Sequence, residues 1–305
     1  MSHPFRLFLF CAAALTVLHG PTLWIWSQFA WGHDLFSYTL LAPVVTAYLL
    51  HLERDRLPKV VSPDWLVAGV LGALAVVSVL LADGLLRPAF PTPAGTQEWL
   101  FWRMLAWAAS LVGVYAATFG RSGLRACAFP ILFLFASVPL SPALEAGLER
   151  VLQFASAEAA AAMFFVTGMT LHRSGLIFHL PGITLEVAPE CSGIHSTLVL
   201  FITSLVGGYL FLKSPWRRFA LSAAVLPLGI LRNGVRVWTL GTLCVYDDPS
   251  WIRSPLHHQG GPLFFGLSLI PFGLLLFFLY RGERKTVSRD SEGKEDMQGK
   301  RDKVT

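Results

Sequence analysis

Charge is scarce in this chain of 305 residues: 14% of the residues are charged, whereas 54% are hydrophobic. The mean hydropathy of +0.57 lies far above the values of soluble globular domains. This composition excludes a soluble protein. The net charge of +5 does not indicate a nucleic-acid partner, because the basic residues cluster in short loops, where they set the orientation of membrane helices. We therefore expect an integral membrane protein that binds no nucleic acid.

Cysteine is also rare, and several catalytic motifs are missing. The four cysteines form no C-x-x-C pair and no disulfide-like spacing, which argues against a disulfide framework. The chain contains no H-E-x-x-H and no G-x-S-x-G motif, which argues against a zinc protease and against a serine hydrolase with a nucleophile elbow. Cys11, Cys127 and Cys244 lie inside apolar segments, and only Cys191 lies at a predicted membrane boundary.

Long apolar runs are what the sequence has instead. Crossing a bilayer takes about 20 apolar residues in a helix, and eight windows meet or approach this length. The clearest are residues 7–30, 65–82, 193–212 and 260–280, and the weaker ones are residues 35–50, 99–119, 126–141 and 219–246. The first window is too long for the apolar core of a signal peptide, and no A-x-A cleavage site follows it. We therefore predict eight transmembrane helices, the first of which is retained.

Basic loops predict the orientation of these helices. Residues 51–59, 120–125 and 213–218 are rich in Lys and Arg, so the positive-inside rule assigns them and both termini to the cytoplasm. Residues 142–169 have a helical composition, but each of their charges would cost about 2.5–3.5 kcal/mol at the bilayer centre. We therefore predict an amphipathic helix on the outer face. Residues 171–190, two short apolar runs punctuated by glycine and proline, predict a small extracytoplasmic hairpin.

These segments together predict an all-α polytopic integral membrane protein. About eight transmembrane helices, the amphipathic helix and the hairpin form a single membrane domain over residues 1–281, with a catalytic half from about residue 142 to residue 281. Residues 282–305 are dense in charged side chains and have almost no apolar ones. We therefore predict a disordered cytoplasmic tail.

Several polar residues of the predicted helices lie at or near the outer face of the membrane. Cys191 precedes a helix whose N-terminal dipole favours a thiolate; the alternative is a packed free thiol. Arg232 and Arg236 share one face of the next helix, about 21 and 27 Å from its cytoplasmic start. A guanidinium at this depth needs a polar cavity or a counter-charge, unless it extends to the lipid headgroups.

Two adjacent histidines precede the last helix. His257 and His258 point in different directions on a helix, so only one of them can readily join a given site; the alternative is an interfacial histidine without a catalytic role. A cysteine, arginines and a histidine are thus predicted at the same depth near the outer face of the membrane. Together they form a set of side chains that can catalyse acyl transfer. The thiolate attacks a peptide carbonyl, the histidine exchanges protons with the thiol and the leaving amine, and an arginine stabilises the thiolate or the oxyanion.

A metal site is the alternative use of these side chains. Its ligands would be Cys191, His195, His257 and His258. Their spacing matches no standard site, so we expect no metal and no cofactor.

Three motifs carry a resemblance to a known family. VAPECSGIHS at 187–196, NGVR at 233–236 and HHQGG at 257–261 follow one another on consecutive segments predicted to face outward. A cysteine in a CSG context, an N-x-x-R arginine and a histidine four residues before a glycine are the pattern of the exosortase/archaeosortase family, which this chain resembles. The resemblance is best from about residue 175 to the final helix.

The resemblance implies a role for each motif residue. Cys191 is the nucleophile, Arg236 stabilises the thiolate or the oxyanion, and His257 is the acid and base. His257 is preferred over His258 because Gly261 follows it by four residues. Pro262 stands where the family often has a tryptophan. The residues expected to support the catalytic set are Asn233, Arg232, His258, His195, Ser192 and Gly193.

Membership of this family implies a thiol protease and transpeptidase at the extracytoplasmic face of the inner (plasma) membrane. Its substrates are proteins with a C-terminal sorting signal of the PEP-CTERM type: a short Pro-Glu-Pro-like motif, a transmembrane helix and a basic cluster. The acceptor of the acyl group is a lipid or another amine or hydroxyl compound, and such systems are linked to exopolysaccharide production. Two alternatives stay open: a polytopic transporter and a non-catalytic scaffold for polysaccharide export.

Overall fold

The computed structural model describes residues 3–57, 62–86, 92–188, 192–253 and 261–301. At residues 85, 86, 253 and 285–301 it describes the backbone alone. Helices form nearly all of the regular structure. Their bounds are α1 His3–Leu18, α2 Gly20–Gly32, α3 Leu41–Leu52, α4 Trp65–Leu80, α5 Pro93–Ala126, α6 Ala128–Phe133, α7 Pro142–Val166, α8 Ile194–Phe211, α9 Pro215–Ala223, α10 Val225–Tyr246 and α11 Gly261–Arg301. Three short strands are β1 His172–Ser174, β2 Ile177–Leu180 and β3 Ile183–Glu186.

The helices confirm the predicted all-α polytopic membrane fold. Six helical segments within the described ranges are long and apolar enough to cross a membrane, or up to eight if each of two bent helix pairs counts as one span. The small sheet adds little to this architecture. The chain is therefore a multi-pass membrane protein.

The first predicted span is bent rather than straight. Residues 7–30 fall on α1 and α2, which meet at an angle of 70°. Pro21 lies in the first turn of α2, where a proline is tolerated, but it has no N–H to continue the ladder of α1. The His19 ring bonds to the Leu15 carbonyl at 2.9 Å and so closes the end of α1.

The predicted span over residues 126–141 is also interrupted. It contains α6 and a 3₁₀ turn that ends at Ser137, which at about 1.5–2 Å per residue is too short to cross a 30 Å hydrocarbon core. Pro139 and Pro142 follow directly, and proline biases the residue before it away from the α conformation. This window alone is therefore not a full transmembrane helix.

The chain forms two compact units, residues 1–146 and 147–305. In the first unit, the core gathers around α5 and contains Trp107, Tyr115 and Phe119. The boundary between the units lies near residue 142, where the predicted catalytic half begins. The single membrane domain stays a prediction.

The first unit contains an arginine whose nitrogens are all bonded. Arg103 on α5 forms a salt bridge from Nη1 to the Asp83 carboxylate at 3.0 Å. Its Nε and Nη2 both donate to the Thr22 hydroxyl, at 3.1 and 2.9 Å. Each of the three guanidinium nitrogens therefore has a partner within the unit, and Asp83 supplies the counter-charge.

In the second unit, the strands form one antiparallel sheet in the order β1-β2-β3. The two apolar runs predicted as a hairpin are β2 and β3, with Phe178 opposite Leu185; β1, opposite β2, was not predicted. Phe178 is fully buried and packs on Phe164 of α7, with the ring centroids 5.7 Å apart. One face of the sheet is therefore held by the apolar face of α7.

The last helix extends into the segment predicted to be disordered. The structure extends α11 to Arg301, whereas the sequence predicted a disordered tail from residue 282. The Glu283 carboxylate accepts hydrogen bonds from the backbone N–H groups of Lys213 and Ser214, at 2.9 and 2.6 Å. Arg217 donates to the Leu279 carbonyl at 3.2 Å. These contacts hold the beginning of the charged segment in the helix.

Candidate active site

The CSG motif leads into the N-terminus of α8 through a left-handed turn. Gly193 is the N-cap residue, with φ 73° and ψ 17°, a conformation that costs a residue with a side chain about 1–2 kcal/mol. Ser192 is buried, and its hydroxyl accepts the Ile194 N–H at 3.4 Å. The glycine of the motif therefore has a conformational reason: it turns the chain into the helix directly after Cys191.

Arg232 on α10 reaches this helix terminus. Its Nη2 donates to the Gly193 carbonyl at 3.1 Å and to the Thr197 hydroxyl at 3.2 Å. The Thr197 hydroxyl in turn donates to the same Gly193 carbonyl at 2.8 Å. The guanidinium, the hydroxyl and the carbonyl thus form a closed set of contacts that joins α10 to the start of α8.

The other terminal nitrogen of Arg232 is unpaired. Arg232 is only 8% exposed, and within the described part of the chain its Nη1 has no hydrogen-bond partner. No carboxylate of the described residues forms a salt bridge with it. A buried polar group without a partner costs about 1–3 kcal/mol, and more when it is charged. This nitrogen is therefore a donor available to a ligand.

Asn233 packs against the same glycine. It is 2% exposed, and a Cβ built on Gly193 would lie 3.4 Å from the Asn233 Cγ and 3.1 Å from the Arg232 Nη2. A larger residue at position 193 would displace one of these two side chains. The structure therefore brings together three of the predicted site residues: Gly193, Arg232 and Asn233.

The predicted catalytic arginine, Arg236, lies one turn farther along α10 and is half-buried. Between the two arginines, Gly234 allows α10 to approach α7, because a Cβ there would lie 2.7 Å from the Ala159 Cβ. His195, predicted as a supporting residue, is exposed on the first turn of α8. The two arginines thus differ in burial although they share one face of the helix.

Two residues of this region were not predicted. Thr197 lies four residues after Gly193, a spacing that could have indicated a side chain above the helix terminus. Gln153 on α7 is buried, and its Nε2 donates to the carbonyl of Val187, the first residue of VAPECSG. No sequence signal distinguishes Gln153 from the other polar residues of its amphipathic helix.

The other predicted catalytic residues, Cys191 and His257, lie outside the described residues, as does His258. The metal alternative depends on these three side chains together with His195. Among the described residues, no group of three or more His, Cys, Asp or Glu side chains is arranged to hold a metal ion.

Comparison with known proteins gives one result. No curated protein and no solved structure matches the chain significantly. The family model described as transmembrane exosortase matches residues 26–274, which is more than three quarters of the chain and includes α8, α10 and all three motifs. The chain therefore belongs to the transmembrane exosortase family, whose members are transpeptidases that process sorting signals.

Proposed function

We propose that this protein is a cysteine protease and transpeptidase that cleaves C-terminal sorting signals at the extracytoplasmic face of the inner membrane. Membership of the exosortase family supports this class of activity. The observation that carries the proposal for this chain is the packing of Arg232 and Asn233 against Gly193. Chain connectivity alone keeps the Cα atoms of Cys191 and Gly193 within about 7 Å of each other, which supports assigning these side chains to the surroundings of the proposed nucleophile.

The proposed reaction begins at Cys191. The imidazole of His257 takes the thiol proton, and the sulfur lone pair attacks the carbonyl carbon of the scissile peptide bond. The π electrons of the carbonyl move to its oxygen, which becomes an oxyanion. When this intermediate collapses, the C–N bond breaks, the leaving amine takes the proton from His257, and a thioester remains on Cys191.

The second half of the reaction releases the thioester. Water, a lipid or another compound with an amine or hydroxyl group attacks the thioester carbonyl, His257 takes the proton of the attacking group, and the thiol is restored. Hydrolysis results when water attacks, and transpeptidation results when an acceptor does. Arg236 supplies positive charge next to the developing anion. Asn233, Ser192, His195 and His258 are supporting residues in this proposal.

The proposed substrates are membrane-anchored proteins with a Pro-Glu-Pro-like motif, a transmembrane helix and a basic cluster at the C-terminus. A substrate held by its own membrane helix is concentrated and oriented in the bilayer plane, so its motif meets the nucleophile at a fixed depth. The cleaved proteins are sorted to the cell surface in a system linked to exopolysaccharide production.

The test follows the mass of an epitope-tagged protein with such a C-terminal signal in membranes of the host. Wild-type enzyme is compared with Cys191→Ala at matched membrane levels, and Cys244→Ala serves as the matched control because Cys244 is a buried free thiol of the same unit. We expect the mass shift to disappear in Cys191→Ala and to persist in Cys244→Ala. An unchanged shift in Cys191→Ala would contradict the proposal and favour the transporter or scaffold alternatives.

A further inference from the structure

Arg232 is a buried cation, and the described residues supply partners for only one of its two terminal nitrogens. Its Nη2 is fixed by Gly193 and Thr197, and its Nη1 has no partner among the described residues. Removing an arginine from water without a counter-charge is costly. An arrangement that retains this cost in a folded unit indicates a site for a negatively charged oxygen or sulfur atom.

The same place has a second source of positive potential. The Ile194 N–H donates to the Ser192 hydroxyl. The next N–H groups of α8 have no carbonyl partner within the helix, and they carry the positive end of the helix dipole. α8 is 18 residues long. Because the guanidinium is planar and rigid, the Nη1 of Arg232 lies beside the Nη2 that is bonded to the N-cap carbonyl. The bond from Nη2 to the Gly193 carbonyl therefore places the guanidinium of Arg232 beside the N-terminal turn of α8.

The neighbouring arginine adds charge without satisfying this donor. Arg236 lies one turn farther along the same face of α10 and is half-buried, whereas Arg232 is buried. Like charges at this spacing repel each other, and an anion between them would relieve the repulsion. A donor in a water-excluded place interacts more strongly with such an anion than an exposed donor does. Of the two arginines, Arg232 is therefore the better preorganised.

We propose that Arg232, through its unpaired Nη1, binds the oxyanion that forms when the cysteine thiolate attacks the scissile carbonyl, together with the N-terminal N–H groups of α8. This inference rests on the proposed function. The step moves the sulfur lone pair into the new S–C bond and the carbonyl π electrons onto oxygen, and no proton is transferred to or from Arg232. Arg232 is then a catalytic residue, and Arg236 acts on the same anion from a more exposed position.

Two further residues hold Arg232 in this position. Thr197 accepts the second hydrogen bond of Nη2 and itself donates to the Gly193 carbonyl. Gly229, three residues before Arg232 on α10, makes room for Thr197, because a Cβ at position 229 would lie 2.6 Å from the Thr197 hydroxyl. Thr197 and Gly229 are therefore positioning residues for the guanidinium.

The test measures thioester formation with the full chain reconstituted in lipid nanodiscs. The probe is a tagged protein with a Pro-Glu-Pro motif, a transmembrane helix and a basic cluster, and the enzyme is in excess so that a single turnover is observed. We expect Arg232→Gln to slow acylation by about 10²–10³-fold, the loss typical of one oxyanion donor. Arg217→Gln is the matched control, because Arg217 also donates to a backbone carbonyl of the same unit, and it should acylate at the wild-type rate.

A second measurement separates the oxyanion from the thiolate. The rate at which iodoacetamide alkylates Cys191 reports the fraction of thiolate and is followed by peptide mass spectrometry. If Arg232 acts on the oxyanion, alkylation in Arg232→Gln stays within about twofold of wild type, as a nearly unchanged thiolate fraction requires. A parallel loss of alkylation and acylation would overturn the proposal and assign Arg232 to the thiolate. Wild-type acylation in Arg232→Gln would overturn it as well.

Milder substitutions keep the test decisive if Arg232→Gln does not fold. Arg232→Lys retains the charge but lacks the rigid pair of terminal nitrogens that bonds Gly193 with one and leaves the other for the oxyanion, and Thr197→Val removes one partner of Nη2. Both should slow acylation less than Arg232→Gln does, with alkylation preserved; wild-type acylation in both would contradict the proposal. Cys191→Ala is run in parallel, because processing by that variant would refute the proposed function itself, whereas a normal rate in the Arg232 variants refutes only the role of Arg232.

Discussion

Two arginines, one in each unit, differ in their burial and in the partners that their guanidinium groups bind. Arg103 pairs with the Asp83 carboxylate and uses its other nitrogens on Thr22. Arg232 is more deeply buried, has no carboxylate partner among the described residues and keeps one nitrogen open. Both arginines lie on long helices that contain transmembrane-length apolar windows. Their burial and their partners distinguish them.

On the proposal made above, the difference separates a structural arginine, Arg103, from a catalytic one, Arg232. A guanidinium that is neutralised and fully bonded has little left to offer a ligand, so its role is to join α5 to its neighbours. A guanidinium that is fixed by one nitrogen and open at the other is held ready for an anion that forms only during a reaction. We therefore predict that removing the contacts of Arg103 lowers the stability of the folded protein. Disturbing the contacts of Arg232 should instead lower the rate of acylation.

Among the substitutions that test this comparison, the largest effect on the acylation rate is expected at Gly193, whose carbonyl accepts a hydrogen bond from Arg232. Gly193→Ala introduces a Cβ that lies 3.1 Å from the Arg232 Nη2 and also carries the cost of a positive φ. Displacement of the guanidinium should slow acylation by about a hundredfold, the lower end of the loss expected for one oxyanion donor. The measurement is single-turnover acylation in nanodiscs.

Gly207→Ala is the control for this substitution. Gly207 lies on the same helix, and a Cβ there meets nothing within 4 Å. It should acylate normally and leave the thermal midpoint unchanged or slightly raised. Equal rates for the two alanine variants would show that the packing around Gly193 does not hold Arg232 in a functional position.

A smaller effect, on stability alone, is expected for the other arginine. Asp83→Asn removes the counter-charge of Arg103 and leaves the amide oxygen as a weaker acceptor. Because the Asp83 side chain is 40% exposed, the loss should be about 1 kcal/mol or less. A thermal melt of the detergent-solubilised protein should show a lower midpoint, while acylation by the folded protein stays at the wild-type rate. A selective loss of acylation would erase the distinction between the two arginines.

The smallest effect is the coupling between Arg103 and Asp83. If the two side chains act mainly on each other, Arg103→Gln should lower the thermal midpoint little further once Asp83→Asn is present. We expect a coupling free energy of about 0.5–1 kcal/mol for this partly exposed pair. Additive losses would mean that Thr22, rather than Asp83, is the main partner of Arg103.

Much of the fold could be predicted from composition and apolar windows. The lipid phase requires long apolar helices, so the all-α polytopic class follows from counting them. The bend at His19 and the shortness of α6 were missed, because a count of apolar residues in a window takes no account of where prolines interrupt the helix. Pro21, Pro139 and Pro142 carried that information in the sequence. β1 was missed because HRS at 172–174 is not an apolar run.

The candidate site was less predictable than the fold. Gly193, Arg232 and Asn233 were predicted as supporting residues, and the structure brings these three together. The resemblance could not select Thr197 or Gln153, because their role depends on which side chain of another element faces them. The burial of Arg232 relative to Arg236 is likewise a property of the packing of α10, which a spacing of four residues does not reveal.

The most direct test of this account is the intact mass of the enzyme during reaction. The full-length protein in nanodiscs is mixed with the tagged sorting-signal probe and quenched in acid within the first turnover. The account predicts a covalent adduct with the mass of the N-terminal probe fragment, attached at Cys191, released by hydroxylamine and much reduced in Arg232→Gln. Cleaved probe without any adduct on Cys191, at every time sampled, would contradict the central claim that the reaction passes through a thioester on this cysteine.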